Sequence, residues 1–130
     1  MEDADLLTAS YFSNSVLVNN GNWQFSLKEL PWEAQLTPYR DAIVINANND
    51  DKPDILLAGN FYASNIQMGE YDADYGTVLI NNGNGNFSCS LLNGYTDKGE
   101  VRHIKELTVG KQKAFVIARN NDSTAIIRFK

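Results

Sequence analysis

Thr77-Val-Leu-Ile-Asn-Asn-Gly-Asn-Gly-Asn-Phe-Ser-Cys-Ser-Leu-Leu92 decides the fold, because the chain holds a second version of it. Ser15-Val-Leu-Val-Asn-Asn-Gly-Asn-Trp-Gln-Phe-Ser-Leu-Lys-Glu-Leu30 lies over it without a gap, 62 residues earlier. Val, Leu, Asn-Asn-Gly-Asn, Phe-Ser and the final Leu coincide. Each version reads as a β-hairpin. An apolar, β-branched run enters a turn of Asn and Gly, which tolerate the positive φ of tight hairpins. The return strand then alternates, with Phe25 and Leu27 against Ser26 and Lys28, and Phe87, Cys89 and Leu91 against Ser88 and Ser90. Period two predicts that the Phe and Leu/Cys positions are buried and the others wet.

The repeat extends outward. Arg40-Asp-Ala-Ile-Val-Ile45 matches Arg102-His-Ile-Lys-Glu-Leu107 at the same offset, and Ile55-Leu-Leu-Ala-Gly-Asn60 matches Phe115-Val-Ile-Ala-Arg-Asn120 at an offset of 60. The later copy is two residues shorter between these strands, leaving an ordinary turn at Gly110-Lys-Gln-Lys113. The unit is therefore about 62 residues with four strands, expected near 41–46, 54–59, 77–81 and 86–92. Strands two and three are near-continuous apolar runs, as in strands buried on both faces.

These units predict an all-β fold of propeller-type blades, about two in all. Residues 1–37 make a partial blade, 38–95 a complete one and 96–130 a partial terminal one. Asp5-Leu-Leu-Thr-Ala9 is expected as a strand of the first, and Thr124-Ala-Ile-Ile-Arg-Phe129 as the third strand of the last. An open strand edge there favours a partner, either further chain or a second copy completing a ring. No helix is expected; Trp32-Glu-Ala-Gln-Leu36, between Pro31 and Pro38, reads as a turn.

The composition narrows function. At 43% hydrophobic and 21% charged, 130 residues suffice for one packed domain and do not resemble a disordered chain. The net charge of -5 argues against nucleic acid, which needs a basic face. No apolar run approaches the ~18 residues of a membrane span. The first residues have neither a basic patch nor an apolar stretch, so no signal peptide is expected within this sequence. Cys89 is the single cysteine, which excludes an intrachain disulfide.

Between the first two strands of the complete unit lies Asn46-Ala-Asn-Asn-Asp-Asp-Lys-Pro-Asp54. Oxygen-bearing side chains at Asn46, Asn48 and Asp50, closed by Asp54, have the alternate spacing of calcium loops. The same residues also suit a turn whose side chains cap backbone amides without an ion.

This loop, the apolar strand after it and Asn81-Asn-Gly-Asn-Gly-Asn-Phe87 together resemble FG-GAP and VCBS-type repeats. The segments Leu30-Pro-Trp-Glu-Ala-Gln-Leu36 and Gly69-Glu-Tyr-Asp-Ala-Asp-Tyr-Gly76 are similar to the C-terminal part of bacterial VCBS proteins related to cartilage acidic protein. The resemblance covers roughly residues 15–120. It implies a secreted or cell-surface propeller without catalytic chemistry that binds protein or glycan partners. It also implies a calcium site formed by Asn46, Asn48, Asp50, the Lys52 carbonyl and Asp54. Two departures weaken that site: Asn46 stands where the family has Asp, and Asp51 where it has the turn glycine.

Other candidates are few. Tyr71-Asp-Ala-Asp-Tyr75 lies in the longest connection. Its residues Tyr71, Asp72, Asp74 and Tyr75 make an alternative carbohydrate-binding loop, or a structured loop packing its own tyrosines. Two carboxylates are too ordinary a pair to predict glycoside hydrolysis. No catalytic residue is expected; an accessory domain of an envelope enzyme is the remaining alternative. His103, the sole histidine, aligns with Asp41 and reads as a strand-end residue. Cys89 reads as a small core residue. Trp23, replacing Gly85 of the repeat, is an exposed turn residue of the kind found at interfaces.

Overall fold

The computed structural model describes residues 7–92, 94–96 and 98–128. Among the described residues, nine antiparallel strands form three sheets. The first sheet pairs β1 (Ser15–Asn19) with β2 (Phe25–Glu29). The middle sheet runs in sequence order through β3 (Tyr39–Ile45), β4 (Asp54–Gly59), β5 (Thr77–Gly83) and β6 (Asn86–Leu91). The third joins β7 (Val101–Val109), β8 (Gln112–Arg119) and β9 (Ala125–Ile127).

The hairpins form where the Asn-Gly chemistry places them. Gly83 pairs with Asn86 across the two-residue turn Asn84-Gly85, whose φ values are 54° and 69°. Positive φ at both centres matches the right-handed twist of the flanking strands. The first hairpin keeps this shape at Asn22 (φ 48°) and Trp23 (φ 62°), closed by Gln24 N–H donating to the Gly21 carbonyl at 2.9 Å.

The three sheets stack through two apolar seams, and β4 serves both. Leu57, with Ile55 beside it, packs toward the first sheet with Leu30, Ala34, Leu79 and Val16. Leu56 and Ala58 turn the other way, joining Ile45, Val78, Val101, Ile104, Phe115 and Ile117 against the third sheet. Strict alternation along one strand thus fills two cores, which is why its sequence shows no polar face. Each fully buried leucine contributes about 1.5–3 kcal/mol. Equivalent strands also approach one another: Asp41 Oδ2 of β3 accepts from Ile104 N–H of β7 at 2.9 Å.

Three sequence expectations need correction. Residues 7–9 form no strand; Asp5 and Leu6 lie outside the described residues, as does Phe129. Residues Trp32–Gln35 form one turn of 3-10 helix that buries Ala34 completely and lets the chain pass from the first sheet to the middle one. In β2 the two faces are reversed from expectation: Phe25 and Leu27 are 50% and 53% exposed, while Ser26 and Lys28 are half-buried. The same positions in β6, Phe87 and Cys89, pack under the first sheet, whereas Leu91, expected on that buried face, is 64% exposed at the strand end. Periodicity identifies a face, but a neighbouring sheet must cover it, and among the described residues none covers that of β2.

Candidate functional site

The loop from 46 to 54 closes on itself. Asn48 Oδ1 accepts from Asp50 N–H at 3.1 Å, and Asp50 Oδ1 accepts from Lys52 N–H at 3.0 Å. The other Asp50 oxygen stands 3.4 Å from the Lys52 ammonium. The Lys52 amide, first of several hydrogen bonds, holds the Asp50 carboxyl below its ordinary range. Asn49 and Asp51 take positive φ, 58° and 62°, a left-handed conformation that Asn and Asp adopt more readily than other non-glycine residues.

Asp54 behaves differently from its loop neighbours. It is completely buried at the start of β4. One carboxylate oxygen accepts from Ala47 N–H and the other from Asn81 N–H, each at 2.8 Å. It thereby ties the loop to the neighbouring strand β5. Its counterpart in the third sheet is the fully buried Ala114, so only the longer loop needs this tie.

Among the described residues, no three His, Cys, Asp or Glu side chains gather as a metal-holding group. A cation in this loop would therefore rest largely on Asn46, Asn48 and the Lys52 carbonyl, with Asp50 and Asp54 supplying the charge. Since Asp54 already serves two amides and Asp50 carries Lys52, the set fits only a weak site.

The loop from 71 to 75 separates into two parts. Asp74 is 2% exposed. One of its oxygens accepts from Gly59 N–H at 3.0 Å. The other accepts from Gly76 N–H, Thr77 N–H and the Thr77 hydroxyl at 2.9–3.1 Å. Burial pushes its carboxyl above the ordinary range, with these four bonds opposing the shift. It is spent on the fold and is not available to a ligand.

Tyr71, Asp72 and Tyr75 remain at the surface. Asp72 Oδ1 accepts from Tyr62 O–H at 2.8 Å. Burial first, then this carboxylate, push the Tyr62 phenol up to about 12.

Sequence reasoning missed the centre of this region, Asn60. Buried at 1% exposure and φ 73°, it donates to the carbonyls of Asp74 and Gly99 at 2.9 and 3.1 Å. Its own oxygen accepts from Asp74 N–H at 2.8 Å and from Thr37 O–H at 3.2 Å. Asn120, its repeat counterpart, donates to the buried Glu100 carboxylate at 2.8 Å. Arg102 stands 2.9 Å from the other Glu100 oxygen as an ion pair, off the hydrogen-bonding direction. The shared Asn in the two aligned strands was the available signal.

Two grooves of about 390 Å³ each also mark the surface of the described residues. One lies between β3 and β7, with Asp41 and His103 facing each other across it at 3.3 Å. Burial tends to raise the Asp41 carboxyl, but the Ile104 and Ala42 amides and His103 outweigh it and hold it low. The other surrounds the first hairpin tip, lined by Asn19, Gly21, Asn22, Trp23 and Phe25. Cys89 is part-buried beneath the first sheet, where burial pushes its thiol up. Among the described residues no helix is long and apolar enough to cross a membrane. Comparison with family models, curated proteins and solved structures finds no match.

Proposed function

We propose that the chain is a non-enzymatic binding or scaffold module of a secreted or cell-surface β-propeller, its three sheets being successive blades. The observation that carries this reading is the repeated seam. Residues related by the 62-residue offset meet across it, as Asp41 meets His103. Sheets stacked so that their first strands converge are the propeller plan. The module would present its loops, on a rigid stack, to a protein or glycan partner.

Calcium belongs to this proposal as a clip on the 46–54 loop, held by Asn46, Asn48, Asp50, the Lys52 carbonyl and Asp54. Its chemistry would be structural, neutralising Asp50 and fixing the loop. Thermal melting with millimolar calcium against chelator tests it. A midpoint raised by about 1–4 °C supports the clip, and an unchanged midpoint removes it.

A carbohydrate-binding reading rests on Tyr71 and Tyr75, which are 38% and 37% exposed beside Asp72. Asp74 no longer belongs to it. A glycan array decides: sugar binding abolished by Tyr71→Ala and Asp72→Ala with an unchanged melting curve favours the lectin role. An array with no signal leaves protein partners.

A further inference from the structure

We infer that the outward face of the first sheet, carrying Leu17, Phe25 and Leu27 beside Trp23, docks the third sheet of a second copy of this chain, head to tail. These residues are 65%, 50%, 53% and 93% exposed. Their repeat counterparts Leu79, Phe87 and Cys89 pack under the sheet that precedes them. The chain thus already shows what kind of surface covers such a face: the opposite side of another sheet of the same repeat.

The third sheet offers that side. Val116 lies between Phe115 and Ile117, and Ile126 between Ala125 and Ile127, all four of which face the middle sheet. Val116 and Ile126 therefore point away from it, and Ile126 is 61% exposed. The ladders place Ile127 opposite Phe115 and Leu79 opposite Ile55. Since Phe115 corresponds to Ile55, Ile126 corresponds to Val78 and hence to Val16, which fills the seam between the first and middle sheets.

Trp23 selects this occupant over an arbitrary sheet of the repeat. A Cβ on Gly85 would stand 2.6 Å from Val18 Cγ2, so the internal seam admits only glycine there. Trp23 holds the same turn position, and a sheet bearing valine at the facing place would collide with it. On the third sheet the residue in that register is Arg128, one beyond Ile127. Its exposed side chain reaches Gln112 at only 3.4 Å and is free to swing. A guanidinium laid on the indole face is a favourable cation–π contact. The pairing accounts for an exposed tryptophan kept at a left-handed position.

Such a contact joins two different faces, so it is heterologous and each copy keeps one face of each kind. Sedimentation equilibrium on the whole chain tests it. Mass should rise with concentration beyond the monomer. Phe25→Lys with Leu27→Lys should return a monomer, and so should Ile126→Lys. Mixed together, these two variants should form a one-to-one dimer that grows no further, because each retains the face the other lacks. Trp23→Gly relieves backbone strain, so it should fold at least as well while weakening association about three- to thirtyfold. Arg128→Ala added to it should weaken association little more. A monomer at every concentration overturns the proposal, as does association that neither face variant disturbs. Failure of the mixed variants to pair overturns the head-to-tail arrangement. None of these results bears on the non-enzymatic reading, which the array and melting experiments address.

Discussion

The two hairpins at 15–30 and 77–92 share nine of sixteen residues and lie in two surroundings. Leu79 is 1% exposed and Leu17 65%. Gly85 has a valine side chain against it, whereas Trp23 in its place is 93% exposed. Both hairpins adopt the same turn, so local sequence is enough for the local shape. Burial is not local: it belongs to whichever sheet lies opposite.

Truncating the paired leucines should separate the two hairpins most. Leu79→Ala should cost about 2–5 kcal/mol and Leu17→Ala about 0.5 kcal/mol or less. Urea denaturation of the dilute protein measures both, and equal losses would mean that the first sheet is covered after all. The turn residues come next. Gly85→Ala should cost about 1–3 kcal/mol from collision with Val18 and left-handed strain. Adding Val18→Ala should recover the part due to collision. Trp23→Gly should do the reverse and stabilise the monomer by about 0.5 kcal/mol, since relief of strain exceeds the added unfolded-state freedom.

A smaller effect concerns Asp41 and His103, which lie 62 residues apart in the sequence and face each other across the seam. The Asp41 carboxyl is held below its ordinary value of 3.8 by the Ile104 amide across the seam, among other partners. A depressed carboxyl contributes stability above its unfolded value and loses it as pH falls through the folded one. Melting temperature should therefore decline below about pH 4, and less steeply in Asp41→Asn. Asp74 acts in the opposite sense. Its raised carboxyl favours the fold most below the ordinary value and less as pH climbs through the raised one. Asp74→Asn should steepen the acid decline, and an unaltered profile in both variants would remove these two groups from the acid response.

Much of the architecture was legible in the sequence. The expected strand at 54–59 is β4, Asp54–Gly59, and the expected strands near 77 and 86 begin at those residues. Asn-Gly turns and apolar runs are local signals, and the offset showed which strands correspond. Four things were not legible. The exposed face of β2 depends on a neighbour. Asp54 reads as a loop oxygen but lies buried, because its partner Asn81 is 27 residues away. Asp74 looks like a surface carboxylate until the chain folds it beneath Gly59. The Asn60 network joins segments from 37 to 99; the match of Asn60 with Asn120 marks the position, but nothing local names its partners.

Thiol labelling measures the difference between the hairpins most directly, since Cys89 corresponds to Leu27. One protein keeps the native Cys89; the other carries Leu27→Cys with Cys89→Ser. The introduced thiol should react much faster in dilute solution and slow as concentration rises and copies stack, while Cys89 stays slow throughout. Equal rates at the two positions would contradict the account, because they would mean that the same sequence meets the same surroundings twice.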